Sequence, residues 1–136
     1  MKRLAGWLIG FTLLVTPASA EDAGAAIRSV IDGQLKALSA GDGQTAYGFA
    51  SPGIQRIFPS PDIFMSMVKS GYAPVYGAKS VAFGRLKENG AGYLQEVFLV
   101  DQDGEEWTAL YALEQQPDGS WRISGCQLLK QARVSA

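Results

Sequence analysis

Apolar side chains recur at helical spacing through the first half of this chain. Residues three or four positions apart predict a helix over 22–40, followed by a short helix over 42–50 and one further turn that contains Ile54, Ile57 and Phe58. The next helix is predicted to follow Ser60, with Pro61 in its first turn and Gly71 just beyond its end. Residues 72–77 are predicted to be an aromatic, proline-containing connector.

From Lys79 onward the apolar positions alternate instead. This period of two predicts four strands, at about 79–86, 93–101, 105–114 and 120–128. The connections between them are short and each contains glycine, so successive strands must pair antiparallel. The pattern therefore predicts an α+β fold in which N-terminal helices pack on one face of a four-stranded antiparallel meander.

The hairpin loops predict how the strands are aligned. A three-residue loop at 117–119 places Glu114 opposite Arg122 as an ion pair, Leu113 opposite Ile123, and Tyr111 opposite Gly125. The same kind of loop at 102–104 places Leu99 opposite Trp107, Val97 opposite Ala109, and Gln95 opposite Tyr111. A two-residue turn at Asp103-Gly104 is an alternative for this second hairpin.

These alignments divide the strand residues between two faces of the sheet. The inner face, which the helices are expected to cover, carries Val97, Leu99, Trp107, Ala109, Tyr111, Leu113, Trp121 and Ile123. The outer face carries Leu94, Glu96, Phe98, Val100, Thr108, Leu110, Ala112, Ser124, Cys126 and Leu128. Because the centre of the outer face is apolar, a homodimer that pairs this face with itself is one prediction. The alternatives are that residues after Leu128 or the 72–77 connector cover it, or that the second hairpin uses its other register.

The N-terminus has the three parts of a secretory signal peptide. Lys2 and Arg3 precede an apolar run over 4–15, and the small residues of 18–20 form a cleavage site. Cleavage is predicted between Ala20 and Glu21, which leaves a single domain over 21–136. The run is too short for a membrane-spanning helix, so no membrane anchor is expected after cleavage. The protein is predicted to be exported, periplasmic if its source is a Gram-negative bacterium and otherwise secreted.

Composition narrows the possible functions. Without residues 1–20 the chain has 10 basic and 13 acidic residues, a net charge of −3, and no basic cluster. This argues against nucleic acid as a partner. Histidine is absent, which excludes His-dependent catalytic triads and the usual His-containing metal sites. With one cysteine there is no internal disulfide, and Cys126 is expected to be a buried, inert thiol.

Several segments resemble a known family. Ser51 to Phe58, Pro61 to Phe64, Gly71 to Val75 and Asp118 to Cys126 are similar to domain of unknown function 4864, a family of short exported bacterial proteins. The similarity covers roughly residues 24–130. It implies an NTF2-like, or cystatin-like, fold with a curved sheet, and it supplies no known activity and no catalytic residues.

A ligand site is the remaining candidate for chemistry. Gln95, Tyr111 and Tyr93 are predicted to place polar groups on the apolar inner face, as a small-molecule pocket between sheet and helices requires. The alternative is that the tyrosines are core residues with hydroxyls at the rim, and that Gln95 bonds to the backbone. No metal or cofactor is expected, and the acidic residues of 101–106 are interpreted as a solvated hairpin end rather than a calcium site.

The sequence thus predicts an exported, non-catalytic binding or accessory domain of the cell envelope that holds a small apolar ligand. One alternative is an NTF2-like isomerase or dehydratase that uses tyrosine and carboxylate groups. Another is a purely structural homodimer whose pocket is filled by side chains.

Overall fold

The starts of three helices in this protein are fixed by side-chain caps. In the computed structural model, which describes residues 20–131, the helices are α1 (Ala20–Ser39), α2 (Gly43–Gly48), α3 (Pro52–Ile57), α4 (Pro61–Gly71) and α5 (Ala73–Tyr76). Asp42, Ser51 and Ser60 each accept a hydrogen bond from the backbone N–H three residues later, at the starts of α2, α3 and α4. The connector at 72–77 is itself helical, since it contains α5. Except for Ala20, the predicted signal peptide lies outside the described residues.

The second half of the chain is an open antiparallel sheet. Its strands are β1 (Ser80–Asn89), β2 (Gly92–Val100), β3 (Glu106–Gln115) and β4 (Trp121–Lys130), in the order β1-β2-β3-β4. The preferred register of the second hairpin is confirmed, because Leu99 pairs with Trp107 and Gln95 with Tyr111. The α+β meander predicted from the change of period is therefore the fold.

The core lies between α1 and the inner face of the sheet. Ile27, Ile31 and Leu38 of α1 are fully buried, and they belong to one apolar cluster with Val97 and Leu99 of β2. Burying a side chain of this size stabilises the fold by about 1.5–3 kcal/mol. The apolar residues that recur at helical spacing in α1 thus pack against those that alternate along β2.

β4 departs from the predicted alignment at one residue. Leu113 pairs with Ile123 and Glu114 with Arg122, as predicted, but Ala112 pairs with Gly125, so Ser124 has no partner in β3. The predicted pairing of Tyr111 with Gly125 is wrong, because this bulge shifts the ladder and Tyr111 pairs with Cys126.

The bulge also changes which face later residues of β4 occupy. A shift of one residue moves every side chain that follows it to the other face of a sheet. Cys126 and Leu128 were predicted on the outer face, and both lie opposite inner-face residues instead, Tyr111 and Ala109. Leu129, paired with Thr108, takes the outer position in place of Leu128.

Arg122 anchors the helices to the sheet. The predicted ion pair with Glu114 does not form in the described part of the chain, and the Arg122 guanidinium donates to the carbonyl oxygens of Gly48 (2.9 Å) and Ala50 (3.4 Å). Next to it, the Ile123 N–H donates to the Phe49 carbonyl and the Ile123 carbonyl accepts from the Ser51 N–H. The link between α2 and α3 is therefore bound along β4.

A second bulge lies in β1 and is held by Gln95. Phe83 pairs with Val97 and Leu86 with Gln95, so two residues of β1, Gly84 and Arg85, face one residue of β2. Gln95 is fully buried, and its Nε2 donates to the carbonyl oxygens of Gly84, Arg85 and Glu96 at 2.9–3.3 Å. The backbone-bonding alternative for Gln95 is therefore what the side chain does.

We expect Gln95→Glu to lower the free energy of unfolding by about 3 kcal/mol, since an ionised carboxylate cannot donate and would be buried against three carbonyl oxygens. The measurement is urea denaturation at pH 7. Gln44→Glu, at an exposed position of α2, is the control and should change the free energy of unfolding by less than about 0.5 kcal/mol. Equal stability of the two variants would contradict the role given to Gln95.

The outer face of the sheet keeps an apolar centre. Leu94, Phe98, Val100, Leu110 and Ala112 are there as predicted, and Leu129 is added by the bulge. Phe98 is 41% and Leu129 49% exposed. Two of the alternatives to a dimer are wrong. The second hairpin has its preferred register, and the 72–77 connector does not cover this face, because its helix α5 buries Pro74 and Val75 among the helices and the inner face.

Self-association through this face stays a prediction. Sedimentation equilibrium at micromolar concentration should give a dimer for the wild type and a monomer for Leu110→Glu, because a charge at the centre of the patch opposes its burial. Ile57→Glu, at an exposed position of α3 away from this face, should remain dimeric. A wild type that is monomeric at every concentration would show that the prediction is wrong.

Candidate functional site

A cavity of about 340 Å³, partly open to solvent, lies between α1, α3, α4 and α5 on one side and β3 and β4 on the other. Fourteen residues line it, and four of them carry polar side-chain groups: Gln34, Tyr72, Tyr111 and Cys126. The remaining lining is apolar, with Ile54 and Phe58 on one side and Met67 and Val68 of α4 on another. This composition is typical of a site for a small, mainly apolar molecule.

Side-chain hydrogen bonds to backbone carbonyls fix the wall of the cavity that α3 provides. The Tyr47 hydroxyl donates to the Phe58 carbonyl at 2.7 Å, and Gln55 Nε2 donates to the Tyr47 carbonyl at 3.0 Å. Together with the pairing of 49–51 against β4, these bonds hold the short helix at both ends. The wall is therefore preformed without depending on apolar contacts across the cavity.

Gln34 is a polar residue within the apolar stripe of α1. It is 4% exposed, and its Nε2 donates to the Ala46 carbonyl at 3.2 Å. A carbonyl oxygen can only accept, so the nitrogen must be the atom that faces Ala46, and Oε1 is left as an acceptor. Within residues 20–131 no group donates to Oε1.

Tyr111 contributes a buried phenol. It is 1% exposed, and its hydroxyl lacks a hydrogen-bond partner of adequate geometry among the described residues, although the Cys126 sulfur, a weak partner, is close. Burial, with a smaller effect of Cys126, raises the pKa of Tyr111 well above its usual value. Burial likewise raises the pKa of the Cys126 thiol to about 12. Both groups are therefore neutral at physiological pH.

The three predicted ligand contacts are not brought together. Tyr111 lines the cavity; its partner Gln95 lies beside it in the sheet but does not line the cavity, and Gln95 Oε1 is a second buried atom without a partner. The Tyr93 ring lies outside the cavity, edge-on against Trp121 with 5.4 Å between ring centroids. Ligand contact stays a prediction for all three.

Sequence reasoning missed Gln34 and misplaced Cys126. The signal for Gln34 was present, because a glutamine three residues after Ile31 and four before Leu38 falls on the buried face of α1. Cys126 faces the cavity only because of the bulge at Ser124.

No charged side chain lines the cavity in the part of the chain that the structure describes. Residues 20–131 also contain no cluster of three or more metal-binding side chains.

In the β2–β3 turn, Asp101 accepts hydrogen bonds from Trp107 Nε1 and the Glu105 N–H, which hold the pKa of its carboxyl below the usual value. Within residues 20–131, no helix has the length and apolar character to cross a membrane.

The model of the domain of unknown function DUF4864 matches residues 20–136. The chain belongs to the DUF4864 family. This DUF4864 domain is also similar to the crystal structure of an NTF2-like protein of unknown function from Burkholderia xenovorans LB400, with a TM-score of 0.51 and 11% identity. The match covers 84% of this chain and 89% of that one. It shows the fold alone, which confirms the NTF2-like expectation. No curated protein matches the DUF4864 chain.

We expect Cys126 to make this DUF4864 domain less stable in alkali. Between pH 9 and 12 the unfolded chain loses the thiol proton while the folded chain keeps it, so the free energy of unfolding falls as pH rises, by about 1.4 kcal/mol per pH unit. Below pH 9 both states hold the proton and the effect vanishes. Tyr111 acts in the same direction above pH 10.

Denaturation of the wild type and Cys126→Ala at several pH values between 8 and 11 checks this expectation. The variant should show the shallower decline, because it lacks the thiol and because Cys126 is a minor cause of the raised Tyr111 pKa, while groups elsewhere contribute equally to both proteins. Identical slopes would mean that the thiol is as solvated in the folded state as in the unfolded one.

Proposed function

We propose that this protein is an exported, non-catalytic domain that binds a small, mainly apolar molecule in the cavity between β3–β4 and the helices. The observation that carries the proposal is the cavity itself: about 340 Å³, preformed, and lined by apolar side chains with a few polar groups. Pockets for small molecules usually measure about 300–1,000 Å³ and have this composition.

The apolar lining of the cavity favours binding over a purely structural role, because soluble domains seldom leave a contiguous apolar surface uncovered. A structural homodimer with a filled pocket would need side chains in this space, and the described residues leave it open. By proportion to the roughly 150 Å³ apolar cavity that holds benzene, about 340 Å³ accommodates roughly 14 non-hydrogen atoms.

The lining favours binding over acid–base catalysis. An isomerase or dehydratase needs a group that exchanges protons near neutral pH, and none of the described lining residues is a carboxylate. The Tyr111 phenol is a poor candidate, since its pKa is raised well above the usual value. Export rests on the signal-peptide pattern of residues 1–20.

The test is ligand retention by protein purified from its native compartment. Native mass spectrometry should detect a bound molecule on a chain whose mass corresponds to a sequence that begins at Glu21. We expect Ile54→Trp, which adds a large side chain at the cavity wall, to lower the occupied fraction at least tenfold. Ile57→Trp is the matched control, because Ile57 lies on the same helix, is 67% exposed, and is outside the cavity.

Two results would contradict the proposal. One is a wild-type protein that carries no small molecule and takes up none of a set of neutral apolar compounds. The other is equal occupancy in the Ile54→Trp and Ile57→Trp variants, which would place the bound molecule elsewhere.

A further inference from the structure

The polar atoms of the cavity lining restrict the ligand further than its apolar surface does. Gln34 is almost fully buried, with 4% of its surface exposed. Its amide nitrogen donates a hydrogen bond to the Ala46 carbonyl. Its Oε1 has no donor within residues 20–131. An apolar ligand that fills the cavity would remove this oxygen from water and leave the acceptor unpaired, which is costly, so a ligand that donates a hydrogen bond to it is favoured.

Gln34 Oε1 remains within reach of a ligand. Within residues 20–131, the buried side-chain polar atoms without solvent contact or a hydrogen-bond partner are Gln95 Oε1 and the Tyr111 hydroxyl, and Gln34 Oε1 is not among them. Since Gln34 lines the cavity and is almost fully buried otherwise, the surface left to it faces the cavity. Tyr111 therefore offers the ligand its ring, and Gln34 offers an acceptor.

The absence of charge in the described lining disfavours any ligand that would bury an ionic group in the cavity. A carboxylate in this cavity would find no lysine or arginine, and an ammonium group would find no carboxylate. Moving an unpaired charge out of water costs far more than one hydrogen bond returns. Cys126 cannot serve as a counter-charge, because its thiol is protonated near neutral pH.

We infer that the ligand is a neutral hydrogen-bond donor such as an alcohol or phenol: an apolar body of which roughly 14 non-hydrogen atoms fit the cavity, with an O–H or N–H group that donates to Gln34 Oε1. This inference rests on the proposed function and adds the chemical class of the ligand. The shared chemistry is a neutral donor on an apolar frame. Carboxylates and ammonium groups buried in the cavity are disfavoured by it.

Three compounds with one apolar body test this inference by titration calorimetry of the purified wild-type protein at pH 7. They are 2-naphthol, a neutral donor; 2-methoxynaphthalene, which cannot donate; and 2-naphthoate, an anion. We expect 2-naphthol to bind at least tenfold more tightly than 2-methoxynaphthalene, and 2-naphthoate to bind at least a hundredfold more weakly than 2-naphthol. Gln34→Leu should reduce the preference for naphthol over its methyl ether to about one.

The preference is a ratio within one protein, so a loss of stability in Gln34→Leu does not obscure it. Gln44→Leu, on the exposed surface of α2, should keep the wild-type ratio. Equal affinities of 2-naphthol and 2-methoxynaphthalene for the wild type would overturn the inference and leave the proposed function standing, as would tightest binding by 2-naphthoate. If none of the three binds, the inference fails, and ligand retention by the protein from its native compartment decides separately whether the proposed function stands.

Discussion

Between Ile123 and Gly125, β4 contains one residue more than β3 can pair with, and the inner surface of this domain depends on that residue. Because Ser124 is left out of the ladder, Cys126 and Leu128 turn toward the helices and Leu129 turns away from them. Immediately before the bulge, both backbone groups of Ile123 are bonded to the link between α2 and α3. At Ile123 the strand is bonded to the link between the short helices. At the bulge that follows, it turns Cys126 toward the cavity.

The elements and most of the register could be predicted because their causes are local. The Ser and Pro residues at helix starts, the change of period at residue 79 and the glycine-containing loops act within a few residues, and the strand pairs nearest the loops came out as predicted. The β4 bulge could not be predicted in this way. Its backbone departs from regular pairing at a site where Ser124 and Gly125 are compatible with either arrangement, and the contacts of Ile123 with a distant loop help to decide between them.

The cavity was predicted in kind but not in its residues. A pocket between sheet and helices followed from the resemblance, whereas the identity of its polar groups depends on small displacements that no periodicity records. Gln95 was expected to face a ligand, and its amide instead satisfies three carbonyl groups of the backbone. Gln34 was overlooked because its place on an apolar stripe suggested only core packing. The hydrogen bond from its amide nitrogen to the Ala46 carbonyl joins α1 to α2 and leaves the amide oxygen, Oε1, as an acceptor.

The Gln95 amide has a consequence at the opposite side of the sheet from the cavity. β1 is an edge strand and is exposed along most of its length, and such an edge can template the addition of a strand from another chain. Here the carbonyl groups of Gly84 and Arg85 are bound to Gln95, and the Arg85 N–H is bound to Glu96. An incoming strand would therefore meet a break in the row of backbone groups at Gly84 and Arg85. The charged side chains of Arg85 and Lys87 lie at and next to this break. The side chain that closes the bulge from within also protects the chain against edge-to-edge aggregation.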